Sequence, residues 1–85
     1  MNSELIYRTQ GTCSQAIRIV LDDNQIVKEI QFAGGCNGNT KGVASLAVGM
    51  KATDVIERLR GITCGAKTTS CPDQLSKALE QMINQ

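Results

Sequence analysis

The hydrophobic pattern changes period once, at Ala33-Gly34-Gly35, and this orders the fold as strands first and helices after. Ahead of that point, residues 16–22 alternate: Ile17, Ile19 and Leu21 share one side, Arg18 and Val20 the other. Asp22-Asp23-Asn24-Gln25 is turn chemistry, since such side chains bond local backbone and tolerate unusual dihedrals. Residues 26–32 alternate again, with Ile26, Ile30 and Phe32 on one face and Glu29 and Gln31 on the other. A weaker run over 4–10 places Leu5 and Tyr7 opposite Ile6 and Arg8. These runs predict a β-hairpin preceded by one more strand.

Beyond a glycine-rich loop over 33–39, the spacing becomes helical. Val43, Leu46, Ala47 and Met50 recur on one helix face. A second helix is predicted from Thr53 or Asp54 to Arg60, burying Val55, Ile56 and Leu59, with Gly61 placed to end it. Residues 62–69 read as a loop. In the last helix Leu75, Ala78, Leu79, Met82 and Ile83 form the clearest apolar stripe of the chain. The fold class expected is α+β: a three-stranded antiparallel sheet followed by three helices packed on one face, βββααα, as a single domain over 1–85.

Only Tyr7 and Phe32 are aromatic among 85 residues, so the core must come from aliphatic side chains and Met, with Met50 and Met82 as filler. A core this modest is commonly helped by a metal, disulfides or association, and a homodimer is one expected form. Nine basic and eight acidic residues are spread along the chain, without a basic stripe or stacking platforms, which argues against nucleic acid. No run approaches membrane-spanning length and the start has no signal-type apolar segment. The expected location is cytoplasmic, where disulfides seldom persist. Lys51, Lys67 and Lys77 read as surface charge, and Asp22-Asp23 as a solvated turn rather than a calcium site.

Four cysteines, Cys13, Cys36, Cys64 and Cys71, and no histidine give the chain its chemistry. Without imidazole, Ser–His and Cys–His nucleophile pairs are excluded, and any zinc or iron site must rest on thiolate. Each cysteine falls at a loop or element end, none within an apolar stripe. Cys13 lies in Gly11-Thr12-Cys13-Ser14 between the first strands, and Cys36 in Gly34-Gly35-Cys36-Asn37-Gly38. Cys71 takes the first helical position, behind Ser70 as N-cap and ahead of Pro72 and Asp73, in a capping-box-like Ser-x-x-Asp. Unpaired amides and the helix dipole favour a thiolate there. No CxxC knuckle is present, so spacing alone leaves metal ligands and reduced, unconnected thiols both open.

Thr69-Ser70-Cys71-Pro72-Asp73, Gly34-Gly35-Cys36-Asn37-Gly38-Asn39 and Gly61-Ile62-Thr63-Cys64-Gly65 together resemble the TSCPD domain family over nearly the whole chain. That domain is found at the C-terminus of adenosylcobalamin-dependent ribonucleotide reductases and as small stand-alone proteins. The resemblance implies a ribonucleotide reductase or another enzyme as partner and a link to DNA synthesis. Reductase activity of its own is not expected, because a chain this short cannot hold the large barrel that the radical chemistry requires. A more distant resemblance is to the IscU, SufU and NifU N-terminal iron–sulfur scaffold proteins. Cys13, Cys36 and Cys71 match their three cysteines in order. The departures are that Ser14-Gln15 follow Cys13 where that family has an aspartate two residues on, and that no histidine precedes Cys71. With Cys64 in place of the fourth ligand, this resemblance implies a tetrathiolate site.

The function expected is a small cysteine-rich metal-binding module holding zinc or an iron–sulfur cluster on Cys13, Cys36, Cys64 and Cys71. The alternatives are a thiol-redox module passing electrons through Cys64 and Cys71, or a regulatory module that binds a nucleotide or flavin and no metal.

Overall fold

The computed structural model describes residues 2–12, 14–34, 37–63, 65 and 68–84, with backbone only for 37–39. Strands β1 (Ser3–Arg8), β2 (Ser14–Leu21) and β3 (Val27–Gly34) precede helices α1 (Asn37–Ala47), α2 (Ala52–Leu59) and α3 (Cys71–Ile83). The strands form an antiparallel meander in the order β1-β2-β3. Three strands followed by three helices is the architecture expected from the change of period. Ile17, Ile19 and Leu21 face the helices, where they meet Leu75, Ala78 and Leu79 of α3 and Val55 and Ile56 of α2 in one core. The opposite sheet face is open and carries charge: Arg18 pairs with Glu4 and with Glu29 at 2.9 Å.

Two bulges adjust this alternation. Between β2 and β3, Ser14 pairs with Gly34 but Ala16 pairs with Ala33, so Gln15 is an extra residue. At the other end Val20 pairs with Glu29 and Leu21 with Val27, which makes Lys28 the extra one. A bulge moves the residues beyond it to the other face. The core residue at the start of β3 is therefore Val27, fully buried, whereas Ile26 was expected there; Ile26 is half-buried and forms a bridge with Lys51. The same effect at Gln15 turns Ser14 from the open face into the buried one.

The hairpin turn is built as its side chains suggest. The Asp22 carboxylate accepts from the N–H groups of Asn24 and Ile26 at 2.9 Å, and Gln25 adopts a left-handed φ of 62°. These hydrogen bonds, led by that of Ile26, hold the Asp22 carboxyl below its ordinary pKa despite the opposing effect of burial.

The helices depart from expectation in two places. α1 begins at Asn37, so the glycine-rich loop is shorter than predicted. Leu46, expected on the apolar face with Val43 and Ala47, is 79 % exposed. α2 packs mainly on α3, which leaves a groove of about 210 Å³ between α1 and α2, lined by Val43, Leu46, Met50, Val55 and Leu59. α2 ends where predicted: Arg60 donates to the Ile56 carbonyl and Gly61 follows with φ +82°, a conformation that favours glycine. Among the described residues no helix is long and apolar enough to cross a membrane.

Candidate functional site

The first turn of α3 is enclosed on every side. Cys71, Pro72, Asp73, Gln74, Leu75 and Ser76 are all buried, although an apolar stripe accounts only for Leu75. The polar side chains can be buried because each has a partner, and among the described residues no buried side-chain nitrogen or oxygen lacks a hydrogen bond.

Ser70 caps the helix as predicted, its Oγ accepting from the Asp73 N–H at 3.2 Å, and the same hydroxyl donates to the Ile62 carbonyl at 2.6 Å. The Asp73 carboxylate does not complete the expected capping box but reaches out of the helix. It accepts from the Gly61 N–H at 2.8 Å and from the Thr69 hydroxyl at 2.5 Å, with the Lys77 ammonium 3.6 Å away. Lys77, read from sequence as plain surface charge, thus has a partner. Burial pushes the Asp73 carboxyl up, but the Thr69 and Gly61 hydrogen bonds and the Lys77 charge outweigh it, and its pKa lies below the ordinary 3.8.

Gln74 ties the first strand connection to the helix. Its Oε1 accepts from the Gln10 N–H at 3.1 Å, and its Nε2 donates to Thr69 Oγ1 at 3.0 Å. Gly11 next to Gln10 has φ +74°, and a Cβ there would lie 3.1 Å from the Thr69 methyl. A side chain at position 11 would therefore push the connection away from the helix. Three residues further, Ser14 Oγ accepts from the Cys71 thiol at 3.2 Å and lies 3.0 Å from Thr12 Oγ1. The Gln15 bulge is what aims Ser14 at this thiol.

Of the four sequence-predicted ligands, Cys71 is described: it opens α3 and is 8 % exposed. Cys13, Cys36 and Cys64 lie outside the described residues, and among those described no three His, Cys, Asp or Glu side chains gather as a metal-binding group. Their chain neighbours, however, are brought together. Ser14, next to Cys13, touches the Cys71 thiol. Gly34, two residues before Cys36, is the β-partner of Ser14. Ile62, two residues before Cys64, holds Ser70, the residue before Cys71.

From sequence, Ser14 and Thr69 enter only as neighbours of cysteines, and neither they nor Gln74 is given a role of its own. The available signal was position: Ser14 adjoins a cysteine, and Thr69 and Gln74 bracket another.

The donor set suits a thiolate metal site. The chain offers four thiols and no imidazole, and the Ser14 hydroxyl, itself 3.0 Å from Thr12 Oγ1, accepts from the buried Cys71 thiol.

A family model for the TSCPD domain matches residues 4–83 of the chain. No curated protein and no solved structure matches it.

Proposed function

The chain belongs to the TSCPD domain family, and from that premise we propose that it is a small metal-binding module whose Cys13, Cys36, Cys64 and Cys71 supply four thiolates to zinc or an iron–sulfur cluster. The observation that carries this reading is the convergence on the α3 N-terminus: Ser14, Gly34, Ile62 and Ser70, each within two residues of a different cysteine, are joined by hydrogen bonds or strand register around Cys71. Tetrahedral thiolate coordination suits both zinc and iron–sulfur iron. Zinc would supply a structural crosslink there, and a cluster electron transfer or a transferable cargo. Ser14 would orient the Cys71 sulfur, and the Asp73 contacts with Gly61 and Thr69 would hold both ends of the Cys64 loop.

The setting is cytoplasmic, where thiolates stay reduced, and the role is accessory: service to a ribonucleotide reductase or to metal and cluster handling. A second reading has its own support. The 2.6 Å bond from Ser70 Oγ to the Ile62 carbonyl closes the loop carrying Cys64 back onto the residue before Cys71. Oxidation of that pair to a disulfide would release two electrons and two protons to a partner enzyme.

Elemental analysis and an absorption spectrum on protein purified without oxygen separate the two readings. The metal reading predicts zinc or iron at one equivalent, or a multiple for a cluster, lost in Cys71→Ser. Metal-free protein that rapidly forms a Cys64–Cys71 disulfide supports the redox reading instead. Metal-free protein with four unconnected, titrating thiols removes both.

A further inference from the structure

We propose that a second copy of this chain pairs with it along the open edge of β1, antiparallel, with Ile6 on the two-fold axis and Glu4 opposite Arg8 of the partner subunit. This is independent of any metal.

The sheet order leaves β1 at an edge. The other edge is partly occupied, since at the start of β3 Val27 donates to the Met50 carbonyl at 2.9 Å and accepts from Gly49 at 2.8 Å. Among the described residues β1 has no strand on its outer side. Which of its groups face outward follows from the ladder. The Thr9 N–H donates to the Gln15 carbonyl, and backbone groups alternate sides along an antiparallel strand. Ser3, Leu5 and Tyr7 therefore bond β2, and Glu4, Ile6 and Arg8 turn their N–H and C=O groups away from it, where no described residue is bonded to them.

Edge strands are usually protected by a bulge, a proline or charges that repel a second strand. β1 has neither a proline nor a register shift. Its two charges have opposite signs and stand symmetrically about Ile6, which is 66 % exposed. An antiparallel copy centred on Ile6 makes the edge complementary to itself: Glu4, Ile6 and Arg8 exchange backbone hydrogen bonds across the axis, and each Glu4 carboxylate meets the partner subunit's Arg8. A shift of two residues either way would set Ile6 against a charge.

Both sheet faces continue across the axis. On the open face the row Glu29, Arg18, Glu4, already ion-paired, is extended by the partner subunit's Arg8 with signs still alternating. On the helix-covered face, half-buried Leu5 comes opposite the partner subunit's Tyr7, and both residues already pack against their own core.

Sedimentation of the full chain over a concentration series tests the pairing. The wild type is expected to show a monomer–dimer equilibrium that Arg8→Glu weakens about tenfold or more, and Glu4→Lys likewise, because each substitution sets like charges opposite one another twice. Mixing the two variants restores both unlike pairs, so a heterodimer with near wild-type affinity is expected. Should either variant fold poorly by circular dichroism, amide exchange of the wild type decides instead: the Ile6 and Arg8 N–H groups gain protection as concentration rises. A wild type that stays monomeric to about millimolar concentration overturns the proposal, as does a dimer indifferent to Arg8→Glu, variants that fail to recover on mixing, or a dimer abolished by Leu46→Ser in the α1–α2 groove.

Discussion

The two ends of the helical layer solve opposite problems. At the α3 N-terminus, Ser14, Thr69, Ser70, Asp73 and Gln74 are polar yet buried, and hydrogen bonds join the helix start to two other stretches of chain, 10–14 and 61–62. At the α1–α2 groove Leu46 is apolar yet exposed, and so is Val48 just beyond the end of α1. Hydrophobic burial does not explain the first arrangement, because enclosing polar groups costs free energy unless each finds a partner. A chain with so few aromatics has committed polar groups to one end and left apolar ones outside at the other, so the polar end is shaped by something other than core formation. The proposed thiolate centre would supply that reason, and the contrast can be tested from both sides.

The largest effect is expected from metal removal. A centre on four thiolates would crosslink the β1–β2 connection, the β3–α1 connection and the α3 start, and structural zinc contributes on the order of 10 kcal/mol in small domains. Chelation under reducing conditions should lower the melting temperature sharply. An unchanged melt would leave the polar end standing on its hydrogen bonds alone and would confine any metal to a functional role.

Next in size is Asp73→Ala. It strips an acceptor from the Gly61 N–H and the buried Thr69 hydroxyl, and should cost about 2 kcal/mol in urea unfolding. The same residue gives a pH signature. Its folded pKa lies below the ordinary 3.8, so its contribution is fully present above that value and is lost as pH falls through and below it. The acid limb of the wild-type stability curve should therefore be steeper than that of Asp73→Asn. Parallel limbs would show that this carboxylate is not held as described.

Ser70→Ala removes the N-cap acceptor and the donor to the Ile62 carbonyl, for an expected loss of about 1 kcal/mol by thermal or urea denaturation. The smallest effect belongs to the open side. Leu46→Ser should change stability by no more than about 0.5 kcal/mol, because the side chain already faces water. A large loss there would mean that the groove is closed in solution, and the contrast between the two ends would fail.

What was legible in the sequence was periodic. Ile17, Ile19 and Leu21 in β2, and Leu75, Ala78 and Leu79 in α3, take the buried places their spacing assigns. The Ser70 cap and the Gly61 stop were legible because each residue type has a local backbone role. The bulges at Gln15 and Lys28 were not, since one extra residue in a ladder leaves no mark in the chain, yet they decide that Val27 replaces Ile26 in the core and that Ser14 faces Cys71. Leu46 shows a related limit: periodicity names an apolar face but not whether a neighbouring helix arrives to cover it. At the site, the thiol at the α3 start could be placed from its capping residues, whereas the buried Thr69 and Gln74 around it depend on contacts distant in sequence.

Native mass spectrometry of protein prepared without oxygen, set beside the four single Cys→Ser variants, tests the gathering of the sulfurs most directly. The account predicts a native mass above the denatured mass by one metal centre, with that excess lost or sharply reduced on substituting any one of Cys13, Cys36, Cys64 and Cys71. Equal native and denatured masses for the wild type, or an excess that survives all four substitutions, would contradict it.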